Sequence, residues 1–373
     1  MKKFIYIFAI LLFACSTTSV EYRTATTSLR NDRDYNKAEE YAKKALDVDS
    51  NDALPAYFLA MEVYGSPSSP KKDYKKAADY FSKALEIDAI DGENQKLESS
   101  KNVPLSDGSY KELKTIDDAI KYYSYNLWAE SFNEGISLIG QGKNEKAIEL
   151  FLVAVEFQPE EPKSYNALAT LYYESNDYTK ASKTADKALS MDSSLSALWS
   201  IKGQIAIEKK DEIFAEEMFR KAYDVALNNK ESAENLSGHM SRLFDILFRN
   251  GKKSEALLLS ERLIESDPEN IDLYRNAGAV YQTILGDTFL AASDGLINMN
   301  TLNELELENL KEQFSDCVNM AKKARENFLM CSELELDEVE SEIYYEESKK
   351  LKTRIKEINR IIKDINKKLD ESE

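Results

Sequence analysis

From residue 128 onward, small and large apolar residues recur in a frame of 34 positions. In the first frame Gly135, Ala147, Phe151, Ala154 and Pro159 fall at positions 8, 20, 24, 27 and 32. The frame starting at 162 supplies Tyr165, Leu168, Ala169, Tyr172, Ala181, Ala185 and Ala188, and the next supplies Trp199, Gly203, Ala215, Phe219 and Ala222. Ala147, Ala181 and Ala215 are 34 residues apart, twice in succession. Small residues at positions 8, 20 and 27 let the two helices of a hairpin, and the next hairpin, approach closely. Larger residues at positions 4, 7, 11 and 24 fill the space between them.

Looser copies flank this array. Ala38, Ala42 and Ala45 mark a second helix upstream, and Ala77, Phe81 and Ala84 mark another, 39 residues on, because residues 65–70 lengthen the turn. Downstream, Ala256 and Pro268 mark a further copy, and Tyr274, Ala277, Gly278 and Tyr281 begin one more first helix. The period and residue pattern resemble the tetratricopeptide repeat. The resemblance implies an all-α, right-handed solenoid of about six helical hairpins that binds proteins or peptides. The expected organisation is hairpins over 22–90, a central array over 115–284, and insertions at 91–114 and 285–302. Residues 89–114 are rich in Asp, Ser, Lys and Gly and read as a loop, after which Thr115 or Asp117 caps a helix. Each insertion is either functional or a tolerated surface segment.

Beyond 302 the pattern becomes a heptad seam. Leu307, Leu310, Phe314, Cys317, Ala321, Ala324, Phe328 and Cys331 alternate at spacings of three and four, and Leu351, Ile355, Ile358, Ile362, Ile365 and Leu369 form a second stripe. Residues 303–373 are therefore expected to pack as a long antiparallel helical hairpin. The alternative is that the last helix, basic between Lys349 and Lys368, seeks a partner helix or an acidic surface.

In tetratricopeptide proteins the first helix of each hairpin lines the concave surface. Its positions here carry Asn166, Thr170 and Tyr173; Ser200 and Gln204; Asp245, Phe248 and Arg249; and Arg275 and Gln282. This mixed polar and aromatic lining suits an extended peptide or a partner helix, or is simply a solvated groove. Arg249, Arg275 and Asn166 match parts of the family's carboxylate clamp, but the full set is missing.

The chain begins with Lys2 and Lys3 and an apolar run from Phe4 to Ala14. Eleven helical residues span about 16 Å, too short for a bilayer of roughly 30 Å, so residues 1–14 read as a secretory signal. Leu12-Phe13-Ala14-Cys15-Ser16 resembles the lipobox of bacterial lipoproteins. That resemblance implies lipid on Cys15, a short tether over 15–21, and anchoring in the cell envelope, at the outer membrane facing the periplasm.

Composition narrows the chemistry. Glycine (12) and proline (7) are scarce, which favours long helices, and a formal charge of -18 disfavours nucleic acid. His239 is the lone histidine, and no phosphate loop, serine elbow or zinc motif is present. Cys317 and Cys331 would lie about 21 Å apart along one helix, too far for a disulfide. No cofactor, metal or catalysis is expected. The favoured function is a membrane-anchored scaffold that collects protein partners; the alternative is a carbohydrate- or peptide-binding lipoprotein of an uptake system.

Overall fold

The computed structural model describes residues 18–90, 94–105 and 107–372. Cys15 and the leader expected over 1–14 lie outside them. Of the tether expected at 15–21, Ser19 already caps a helix: its hydroxyl accepts from the Tyr22 amide, and α1 spans Val20–Thr27. The protein is mostly helical, and its helices pack as pairs along two compact units that divide after Ser175.

The N-terminal unit contains α1, α2 (Tyr35–Val48), α3 (Leu54–Phe58), α4 (Tyr74–Asp88), α5 (Ile116–Gly140), α6 (Asn144–Phe157) and α7 (Pro162–Glu174). Both α1 and α3 continue into π-helical turns, at Ser28–Asp32 and Leu59–Tyr64. The second helices of these hairpins start in the same way. Asp34 caps α2 by accepting from the Lys37 amide at 3.0 Å, and Asp73 caps α4 through the Lys76 amide at 3.1 Å. Such a cap satisfies an amide that the first helical turn leaves unpaired.

The segment expected as a loop over 91–114 instead contains a β-hairpin. Strand β1 (Lys96–Pro104) pairs antiparallel with β2 (Tyr110–Thr115). Val103 and Leu113 are buried, so the hairpin contributes to the core. Gln95 fixes its base: the side-chain oxygen accepts from the Ala53 amide at 2.8 Å, and the side-chain nitrogen donates to Asp52 at 2.7 Å. Thr115 caps α5 by accepting from the Asp118 amide.

The C-terminal unit contains α8 (Tyr178–Met191), α9 (Ser196–Glu208), α10 (Glu212–Asn228), α11 (Ala233–Arg249), α12 (Lys253–Ser266), α13 (Ile271–Ile297), α14 (Glu304–Leu334) and α15 (Glu338–Ser372). Asp177 and Asp211 repeat the aspartate cap on α8 and α10. The interruption expected at 285–302 is largely helix. α13 runs unbroken to Ile297, and a 3₁₀ turn at Met299–Thr301 leads to α14. Burial of Leu285 and Ala292 explains this, because the apolar stripe of the repeat simply continues.

One contact links the regular and irregular hairpins. A Cβ on Gly135 would stand 2.7 Å from the Phe151 ring, and one on Gly203 would stand 2.7 Å from the Phe219 ring. In both cases glycine lets an aromatic ring approach the facing helix closely. Gly278 meets Phe328 in the same way, at 3.1 Å, although fifty residues separate them. The last hairpin therefore keeps the repeat's closing contact on two much longer helices. Cys317 and Cys331 are free and buried on α14, where burial raises both thiols, Cys331 to about 12.

Candidate functional site

The residues expected to line the groove sit on the first helices of their hairpins and fall into three situations. On α7, Asn166, Thr170 and Tyr173 are half-buried. The Asn166 side-chain oxygen is buried without a hydrogen-bond partner, while the Thr170 hydroxyl donates back to the Asn166 carbonyl at 3.1 Å.

On α9 and α11 the expected positions range from buried to exposed. Ser200 is buried and its hydroxyl has no partner, and Gln204 is half-buried. Asp245 and Arg249 are exposed one helical turn apart, and Phe248 stacks on Phe244 with ring centroids 6.3 Å apart. Surrounding protein raises the Asp245 carboxyl above its ordinary value, and Arg249 only partly offsets this.

On α13 the chain meets its own last helix. Arg275 pairs with Asp272 at 2.5 Å, and its hydrogen bond with Tyr344 of α15 raises its pKa. Gln282 lines a cavity of about 560 Å³ together with Phe289, Leu351 and Arg354, and the Arg354 guanidinium stacks over the Phe289 ring at 4.0 Å. Side chains of α15 thus reach α13 beside positions that the repeat pattern alone leaves open to a ligand, while Arg275 itself stays exposed.

Behind α11, a charged cluster holds neighbouring hairpins in place. Glu216 of α10 is only 6% exposed. Its carboxylate accepts from Lys252 Nζ at 2.7 Å, Arg220 Nε at 2.8 Å and Asn250 Nδ2 at 2.9 Å. Burial pushes this carboxyl up, but the hydrogen bonds from Lys252, Asn250 and Arg220 outweigh it and hold the pKa at about 2. Three donors compensate the burial of one charge, so the cluster is structural cement. His239 of α11 is likewise internal: its Nε2 lies 3.2 Å from the Ser196 hydroxyl and its Nδ1 is unpartnered.

Position 4 of the frame carries its own lock. Tyr165 donates its hydroxyl to the Pro159 carbonyl, Trp199 its indole N–H to the Ser193 carbonyl, and Tyr274 its hydroxyl to the Pro268 carbonyl. In each case the acceptor lies six residues back, in the turn that precedes the helix. Residues 132–196 match the family model described as Tetratricopeptide repeat. Residues 132–196 carry the tetratricopeptide repeat. Tetratricopeptide repeat protein 36 of Caenorhabditis elegans is 32% identical over 89 residues, covering 24% of this chain and 50% of that protein. The chain thus spans about half the length of the curated relative it matches. Among solved structures, YrrB, a tetratricopeptide protein with an unusual peptide-binding site, is 17% identical. That match covers 58% of this chain and 90% of that chain at a TM-score of 0.39. Pseudomonas aeruginosa pilF is also 17% identical, covering 61% of this chain and 99% of that chain at a TM-score of 0.38.

The tetratricopeptide frame does not contain the Glu216 cluster, the side-chain contacts between α15 and α13, or the β-hairpin. The hairpin does have a signal in Asp107-Gly108, where Gly108 takes φ +83° at the turn. The other two depend on which helices pack together.

Proposed function

We propose that this tetratricopeptide-repeat protein is a non-catalytic scaffold that binds a protein partner through the first-helix faces of α9 and α11. The observation that carries this reading is chemical. Gln204, Asp245, Phe248 and Arg249 combine an aromatic anchor with charges of both signs, and the buried Ser200 hydroxyl beside them has no partner within the chain. An extended peptide or an amphipathic helix offers matching backbone and side-chain groups.

The reading includes an anchor. Lys2, Lys3, the apolar run Phe4–Ala14 and the placement of Cys15 support export and lipidation, with the repeats displayed from the outer membrane into the periplasm. Metabolic labelling with a fatty acid tests the anchor: label is expected on the wild-type chain and absent from Cys15→Ser. Equal labelling of both would remove Cys15 from the account. Affinity capture from membranes tests the scaffold role. It is expected to recover a protein whose binding falls when Phe248→Ala is introduced; tight sugar binding with no protein partner would overturn it.

A further inference from the structure

Within the N-terminal unit, a cavity of about 280 Å³ is bounded by α1 with its π turn, α3 with its π turn, and β1. Small-molecule sites run from roughly 300 to 1,000 Å³, so this one suits a single small metabolite. Tyr22, Tyr57 and Phe58 supply its aromatic walls, with Tyr22 edge-on to Phe58 at 5.9 Å. Four charged residues complete the lining: Arg30 from the first π turn, Glu62 from the second, and Glu98 and Lys101 from β1.

Several observations set this cavity apart from a crevice between helices. Tyr57 is 5% exposed, and its hydroxyl has no hydrogen-bond partner. A buried hydroxyl left unpaired is destabilising unless something else engages it. π-helical turns are rare and concentrate at functional sites, and both of those in the chain's first two hairpins line this one cavity. On β1, residues 97–100 fall in a register shift between the pairs Lys96–Thr115 and Lys101–Leu113, outside the regular pairing with β2, and Leu97, Glu98 and Ser99 line the cavity.

The charges are only partly matched with one another. Lys101 Nζ lies 3.7 Å from Glu62, a loose and half-exposed pair. Arg30 and Glu98 form no salt bridge among the described residues. After burial, Glu98 is the strongest influence raising the Tyr22 phenol, so its field reaches the aromatic wall.

The geometry points to a binding site for a free α-amino acid with a large apolar or aromatic side chain. Its ammonium group would face Glu98 and Glu62, its carboxylate Arg30 and Lys101, and its side chain the rings of Tyr22, Tyr57 and Phe58. The Tyr57 hydroxyl supplies one further hydrogen bond. A simple amine would have to sit beside two bases, and a simple carboxylate beside two acids. The zwitterion alone matches both pairs. This site goes beyond the scaffold role and can be present or absent whether or not α9 and α11 bind a protein.

Isothermal titration of the full chain with L-phenylalanine, phenethylamine and 3-phenylpropionate tests it. Phenylalanine is expected to saturate one site, with each single-charge analogue about tenfold weaker or worse. Arg30→Gln should erase the preference for phenylalanine over phenethylamine, and Glu98→Gln the preference over 3-phenylpropionate. Tyr57→Phe should weaken phenylalanine several-fold, with circular dichroism confirming that each variant is folded. No saturable heat up to the solubility limit of phenylalanine would overturn the proposal. So would equal binding of either analogue to the wild-type chain, or charge variants that leave the preferences intact.

Discussion

Replacing Glu216 by glutamine removes a buried charge from the ion cluster it forms with Arg220 and Lys252, and its cost can be worked from the structure. The carboxyl titrates at about 2 in the folded chain, against an ordinary value of 4.5. A difference of one pH unit corresponds to about 1.4 kcal/mol, so the ionised carboxylate contributes about 3 kcal/mol at neutral pH. The Arg220 and Lys252 side chains are 39% and 45% exposed, and solvent screening brings this closer to about 2 kcal/mol. Because the folded value is the lower one, this stability is fully present above 4.5 and is lost as pH falls through 4.5 towards 2. Glu216→Gln should therefore destabilise the chain by about 2 kcal/mol at pH 7 and by little near pH 2. Urea unfolding followed by tryptophan fluorescence measures the gap, since Trp199 lies in the same unit. A gap of equal size at both pH values, or none at pH 7, would refute the electrostatic reasoning.

Two glycines of the C-terminal unit should respond to alanine in opposite ways. Gly203→Ala drives a methyl into the Phe219 ring and should cost about 1–2 kcal/mol, whereas Gly286 has open space around it and Gly286→Ala should gain about 0.5–1 kcal/mol in thermal or urea unfolding. His239 is held below its ordinary value by burial, with Glu231 opposing and Arg242 reinforcing that effect. A lowered histidine favours the unfolded state as pH falls below about 6.5, so His239→Gln should flatten the loss of stability between pH 7 and 5 measured by denaturation.

The repeat was legible because its signal is local. Alanines 34 residues apart and the pairing of glycine with phenylalanine state directly which helix faces must approach. The apolar stripe of α14 was equally readable, down to the burial of Cys317 and Cys331. What escaped depended on partners distant in sequence. Residues 285–302 read as an interruption of the last hairpin, yet α13 continues through Gly286 and Gly295. Gly286 is tolerated in open space, and Gly295 admits Leu310, with a Cβ there 2.7 Å from Leu310 Cδ1. Periodicity identified an apolar face on α15 but not the contacts of Tyr344 with Arg275 and of Arg354 with Phe289. The π turns left no mark that a spacing of three and four could show, and with them went the cavity around Tyr57.

The central claim is that the first-helix faces of α9 and α11 carry the partner. Site-specific photo-crosslinking tests it most directly, with the reactive residue placed at Gln204 or Asp245 on those faces, or at Lys221 or Leu258 on the second helices α10 and α12. A discrete protein adduct is expected from positions 204 and 245, competed by unlabelled wild-type chain, and none from 221 or 258. Adducts of the same protein from all four positions, or from 221 and 258 alone, would contradict it.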